Sequence, residues 1–337
     1  MWEVENRSPF PHRAGFLRDH NGDTLWCLHV KASFALRPDQ SLTFPFPQPA
    51  LLQGPLYDGP RLLAEAEIGQ PRPLCDLILQ GHATPPPDAR RETGWRIEAR
   101  LAGWRKAVHV RPAMVWQNGR AIPVPAAQAV APVALDWRAA YGGPEFAENP
   151  IGSGHITADG TQLPRLAPEG TSPDARRFAP ISYAAIPREW PQRARLGGTY
   201  DDAWLRRRSP LLPTDLSPAY WQATPKDQWL DPVSLPGSTL EISGVGPRPF
   251  AVGVPDCDLE IATRFRGAWH QQTPRLQSVT FDLDTQQLSL LWLATFPIGA
   301  AQHDVLVDRS FVALRKSRGF SLPAADMPAF LTPWEAS

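Results

Sequence analysis

Trp26-Cys27-Leu28-His29-Val30-Lys31-Ala32-Ser33-Phe34-Ala35-Leu36 is the stretch that decides the fold class. Trp26, Leu28, Val30, Ala32, Phe34 and Leu36 alternate with Cys27, His29, Lys31, Ser33 and Ala35. Successive side chains of a strand point to opposite faces, so this period of two predicts a long strand with one apolar and one mixed face. The turn pair Asn21-Gly22 just before it predicts a hairpin with the segment around Gly15 to Leu17. Arg37-Pro38-Asp39 ends the run, because proline has no amide to give to a ladder.

Further strands follow from the same pattern. Leu74 to Ala83 reads as a strand partly buried on both faces, and the prolines of Thr84 to Asp88 make a loop after it. Trp95, Ile97, Ala99 and Leu101 alternate with Arg96, Glu98 and Arg100, and Gly103 turns the chain into a returning strand over Arg105 to Val110. Near the C-terminus, strands are predicted at Thr239 to Ser243, through Leu259, Ile261, Thr263 and Phe265, and in a hairpin that turns at Asp284-Thr285. Val305 to Leu314 reads as a final strand or short helix.

Between about Gln117 and Pro236 the alternation fades, and proline and glycine recur every few residues. A structureless insertion of that length does not suit a compact domain. Short helices and ordered loops laid over the sheets are expected instead. Asp201 to Arg208 is one helix candidate, with acids at its start and bases at its end as the helix dipole favours, and Ser209-Pro210 stops it. Asp215 to Trp221 is a second helical turn. The predicted fold class is therefore mainly β: sandwich-like antiparallel sheets with a long loop-rich central excursion that carries short helices. Residues 1–116 form an N-terminal β-rich part, 117–236 the excursion and 237–337 a C-terminal β-rich part, read together as one integrated domain.

Composition narrows the function classes. The 337 residues carry 34 basic and 34 acidic side chains, and this balance argues against a general electrostatic grip on nucleic acid or an anionic membrane. Arg206-Arg207-Arg208 is a short patch near acids, and Arg264 and Arg266 flank Phe265; neither changes that reading. The 39 prolines are more than twice the usual share of about 5%. With 13 tryptophans in the same chain, they indicate ordered loops rather than disorder. Cys27, Cys75 and Cys257 are widely spaced and odd in number, which suits free thiols in a reducing cytoplasm. The opening Met1 to Asn6 has neither the basic nor the apolar region of a secretory signal, and no run reaches the ~18 apolar residues of a membrane span.

Signals for catalysis are weak. HExxH, CxxC, GxSxG, Walker A and strand-linked GxGxxG motifs are all missing. Ser153 lies two residues from His155, but a nucleophilic serine needs a base within about 3 Å and a third group to orient it. A glycine loop whose serine bonds its own backbone is the simpler reading. Asp256, Asp258 and Glu260 would share one strand face, fit either for a hard cation or for plain solvation. His303-Asp304 has no second ligand cluster. These patterns predict no metal, cofactor or catalytic residue. Trp26, Trp95 and Trp292 are in phase with apolar faces and belong to the core, whereas Trp190, Trp204, Trp221 and Trp229 either pin loops or anchor a partner. The alternative to a binding protein is a carbohydrate-active hydrolase or sugar-binding module, using Trp-lined loops and the Asp256, Asp258 and Glu260 face.

Several motifs follow one another in a known order. They are Trp2-Glu3-Val4-Glu5-Asn6, Val30-Lys31-Ala32-Ser33-Phe34, Tyr141-Gly142-Gly143, and Asn149-Pro150-Ile151-Gly152-Ser153-Gly154. After them come Arg195-Leu196-Gly197-Gly198-Thr199-Tyr200-Asp201-Asp202-Ala203-Trp204, Pro210-Leu211-Leu212-Pro213-Thr214-Asp215 and Lys226-Asp227-Gln228. In this set, spread over nearly the whole chain, the sequence resembles the domain of unknown function 2169 family of bacterial type VI secretion clusters. The resemblance implies a non-catalytic cytoplasmic adaptor or chaperone that stabilises a toxic effector and helps load it onto the spike of VgrG and a PAAR-repeat protein. Gly142, Gly143, Gly152, Gly154, Gly197 and Gly198 are expected to shape tight loops. Tyr141, Asn149, Trp190, Tyr200, Asp201, Trp204, Trp221 and Trp229 are the candidates for partner contact, with loop architecture as the competing role.

Overall fold

The computed structural model describes residues 3–90, 92–125, 131–156, 158–172, 175–299 and 307–320. Trp2, the His303-Asp304 pair and the first two residues of the predicted Val305 to Leu314 element lie outside them.

The strand read from Trp26 to Leu36 runs Thr24–Leu36 and sits inside a seven-stranded sheet. Its neighbour on one side is His12–Arg18, antiparallel with Phe16 opposite Trp26, as the Asn21-Gly22 turn predicts. On the other side lie Gln287–Gly299, Arg275–Asp282, Cys75–Gln80 and Trp229–Leu230, in that order, while Leu42–Thr43 also pairs with the long strand. Cys75–Gln80 and Arg275–Asp282 are parallel. A five-stranded sheet follows the order Leu166–Pro168, Trp104–Val110, Trp95–Leu101, Thr239–Ser243 and Phe250–Gly253. A four-stranded sheet joins Glu3–Arg7, Val307–Arg318, Asp256–Phe265 and Ala268–Gln272.

Both smaller sheets cover the same face of the large one, which gives the sandwich. Trp26, Leu28, Val30, Ala32 and Phe34 share that face with Leu288, Leu290, Trp292, Val279 and Phe281, and all are buried. Phe250 of the five-stranded sheet meets Phe281 edge-on, with centroids 5.8 Å apart. On the four-stranded side the Trp26 indole donates to Ser310 Oγ at 2.8 Å, so its buried N–H keeps a partner. A buried donor without one would cost about 1–3 kcal/mol.

The mixed face of the long strand is buried as well, under a segment at 45–72. Lys31 pairs with Glu67 at 2.7 Å, His29 Nε2 lies 3.0 Å from the Gly69 carbonyl, and Gln48 grips the Ser33 amide and carbonyl like a short piece of strand. That explains why polar residues here alternate with apolar ones without reaching solvent.

One core cluster draws on residues from all three parts of the chain. Strands before residue 117 and after residue 236 interleave within the central sheet. The excursion carries the helices Pro191–Ala194 and Asp202–Arg207 and 3-10 turns at Trp137–Ala139, Pro218–Trp221 and Lys226–Gln228. Among the described residues no helix is long and apolar enough to cross a membrane.

Candidate interaction site

Three buried polar hubs fix the excursion to the sheets. Asp76, fully buried on a central strand, accepts from Arg72 Nη1, Gln222 Nε2, the amides of Ala223 and Thr224, and Thr224 Oγ1, at 2.6 to 3.2 Å. Gln228 donates to the carbonyls of Leu77 and Tyr183, while its own Oε1 receives Lys106 Nζ at 2.6 Å. Lys106 also reaches Asp227 at 2.9 Å, so Lys226-Asp227-Gln228 clamps one sheet to the other. The third hub is Glu65, which takes Arg193 Nη1 at 2.5 Å and Arg188 Nη2 at 2.9 Å. Burial alone would raise the Glu65 carboxyl, but the two guanidinium groups outweigh it and hold the group below its ordinary value.

The Tyr141-Gly142-Gly143 and Asn149 to Gly154 motifs form a second internal lock. Tyr141–Gly142 pairs in parallel with Ser153–Gly154 around Asn149, whose Nδ2 donates to the carbonyls of Trp137 and Tyr141. A Cβ on Gly142 would stand 2.1 Å from the Asn149 carbonyl oxygen, so only glycine fits there. His155 Nδ1 lies 3.1 Å from the Tyr141 hydroxyl, which leaves the Ser153 and His155 pair inside an architectural loop.

The Arg195 to Asp215 block behaves differently. Its ends are tied together: the Thr199 amide and hydroxyl donate to Asp215 at 3.0 and 2.7 Å, and the Ser217 amide donates to the Leu196 carbonyl at 2.9 Å. Gly198 closes this neck at φ +81°, where a Cβ would also strike Pro213. The segment between is an Ω-type loop, a class often used for function. It carries Asp202–Arg207, and Asp201 caps that helix by accepting from the Trp204 amide at 2.8 Å. The Trp204 indole donates to the Leu211 carbonyl, and Tyr200 packs edge-on against Trp204 at 4.7 Å. Leu211 lies over Gly22, and Arg208 donates to the His20 carbonyl, so the loop is anchored beside the start of the long central strand.

That anchoring leaves the helix itself uncovered: none of its residues is buried. Tyr200 is 57% exposed and Leu205 61%, with Arg206 and Arg207 exposed beside them. Of the eight contact candidates read from sequence, Tyr141, Asn149 and Trp190 are interior residues. Trp190 packs on Trp137 at 5.7 Å. Trp204, Trp221 and Trp229 are half-buried; the Trp229 indole donates to Thr224, and Arg188 lies over Trp221. Tyr200 and Asp201 are the exposed ones, and the structure adds Leu205, whose place on a short, charge-rich helix was its only signal in the sequence.

The Asp256, Asp258 and Glu260 face has a different setting. Glu260 is buried and held by Arg315, and Asp258 stands opposite Lys316 in the strand pairing. The shallow depression that Asp256 and Asp258 line includes Lys316 and Arg318 but no tryptophan. Among the described residues no group of three His, Cys, Asp or Glu side chains converges to hold a metal ion.

A family model described as an uncharacterized protein conserved in bacteria, DUF2169, matches residues 21–293. No curated protein and no solved structure matches the chain.

Proposed function

The chain belongs to this uncharacterized bacterial family, DUF2169, and from that premise we propose that it is a non-catalytic adaptor or chaperone for a type VI secretion effector. It works in the bacterial cytoplasm, stabilises the effector and helps to load it onto the VgrG and PAAR spike. The secretion role comes from the motif resemblance. The observation that supports binding as the activity is the Asp202–Arg207 helix, held by the Thr199 and Asp215 hydrogen bonds at the neck of its loop and by the Asp201 cap, yet offering Tyr200 and Leu205 to solvent. A pre-ordered apolar pair loses little conformational entropy on docking, which favours its use as an anchor. Arg206 and Arg207 beside it steer toward an acidic surface.

The test is co-expression with the effector encoded beside its gene, followed by gel filtration. A stoichiometric complex is expected from the wild-type chain, with the effector insoluble or degraded when expressed alone. Leu205→Asp should weaken that complex by about 30-fold or more, the equivalent of ~2 kcal/mol at a hot spot. An effector that behaves identically with and without the chain contradicts the proposal.

A further inference from the structure

A cleft of about 620 Å³ opens at the opposite end of the central sheet from the exposed helix. His20 and Gly22, just before Thr24–Leu36, touch the helix-bearing loop, whereas Leu36 at its end and Arg37, Pro38 and Gln40 just after it border the cleft. At about 3.3 Å per residue, the strand separates the two places by roughly 40 Å.

The cleft has an apolar floor of Leu36, Val245, Phe250 and Leu283, with Phe250 fixed against Phe281. Pro38, Pro132, Pro247 and Pro249 wall it. Arg37 and Arg248 stand exposed on its rim, and neither forms an ion pair among the described residues. Two carboxylates lie close by and keep their charge, Asp284 in the lining itself and Asp39 within the field of Arg37, but each already accepts hydrogen bonds from its own neighbours. Asp284 receives the His82 amide and faces His82 Nδ1, both at 2.9 Å. Asp39, close to Arg37, accepts from the Ser41 amide and hydroxyl.

These features select among ligands. Phosphate sites are commonly lined by converging backbone N–H groups, and proline walls offer none. Among the described lining residues the permanent positive charges are two guanidinium groups on flexible stems, a geometry suited to bidentate carboxylates. A cleft this size takes a few residues of extended chain, and its floor takes an apolar side chain.

We propose that this cleft binds an extended acidic segment of a partner protein, its carboxylates on Arg37 and Arg248 and an apolar side chain on Phe250. The site is separate from the exposed helix, so it stands whether or not the helix reading does, and together the two ends let one chain hold two segments at once.

The test is fluorescence anisotropy with three fluorescein-labelled octapeptides, alternating Leu with Glu, Leu with Lys and Leu with Ser. The Glu peptide is expected to bind the full chain at least ten-fold more tightly than the other two. Raising salt should weaken it, as it does any partly exposed ion pair. The Arg37→Glu, Arg248→Glu double variant alters only exposed side chains, so it should keep the wild-type melting temperature and lose at least ten-fold in affinity. Leu205→Asp should leave this binding unchanged. Equal binding of the Glu and Ser peptides, or full binding by the double variant, overturns the proposal. If both Leu205→Asp and the double variant weaken the peptide equally, it sits on the helix and the cleft assignment falls.

Discussion

Replacing Asp76 with Asn puts the stitching of the excursion to the central sheet under direct test. Asn keeps the volume but turns one oxygen into an NH2 group. Asp76 Oδ2 accepts from Arg72 Nη1 and the Ala223 amide, and Oδ1 from Gln222 Nε2, the Thr224 amide and Thr224 Oγ1. Whichever oxygen is lost, two or three buried donors face an NH2 group that can only donate, and Arg72 loses its countercharge at 8% exposure. Breaking a buried pair from one side costs about 3–5 kcal/mol. Unfolding entropy near ~2.1 cal/mol/K per residue amounts to about 0.7 kcal/mol/K over the 337 residues, so Tm should fall by roughly 4–7 °C. Differential scanning fluorimetry and urea unfolding followed by tryptophan emission both read this. A variant that melts within about 1 °C of wild type would refute the assignment of Asp76 as a buried anchor.

Other outcomes follow from named contacts. Gly142→Ala forces a Cβ against the Asn149 carbonyl oxygen and should cost more than about 2 kcal/mol, whereas Leu205→Asp on the open helix should change stability by less than ~0.5 kcal/mol; paired denaturation curves compare them. Because Arg193 and Arg188 hold Glu65 below its ordinary value, its contribution is full above the unfolded pKa and is lost as pH falls through the folded one. Glu65→Gln should therefore flatten the fall in Tm between about pH 5 and pH 3. Burial pushes the Cys27 thiol up to about 12 and the Cys75 and Cys257 thiols up as well, so a thiol reagent at neutral pH should label the native chain far more slowly than the unfolded one, where all three titrate. Rapid labelling of all three in native buffer would contradict their placement.

Much of the sheet architecture is legible in the chain itself. The alternation from Trp26 to Leu36, the Trp95 to Val110 hairpin and the turn at Asp284-Thr285 each depend on residues near one another, and each is found where its pattern lies. The helix is legible for the same reason: Asp201, the basic end and Pro210 are local signals. Long-range partners are not. Nothing near Cys75–Gln80 says that it will lie parallel to Arg275–Asp282, or that Asp76 within an apolar run will bind the chain at 222–224. The tryptophans of the excursion show the same limit. Trp190 is buried and Trp204 half-buried, yet both lie among prolines and glycines with no period to tell them apart. The Asp256, Asp258 and Glu260 alternation is present as a strand pattern, but Arg315, which occupies Glu260, comes from a distant strand at a bulge.

Hydrogen–deuterium exchange of the chain, alone and with the co-expressed effector, tests the adaptor account most directly. Slower exchange from Thr199 to Leu211, with the buried core strands unchanged, is the predicted result. Exchange that is identical with and without the effector, or protected only at places remote from that loop and from the Arg37 and Arg248 cleft, would contradict it.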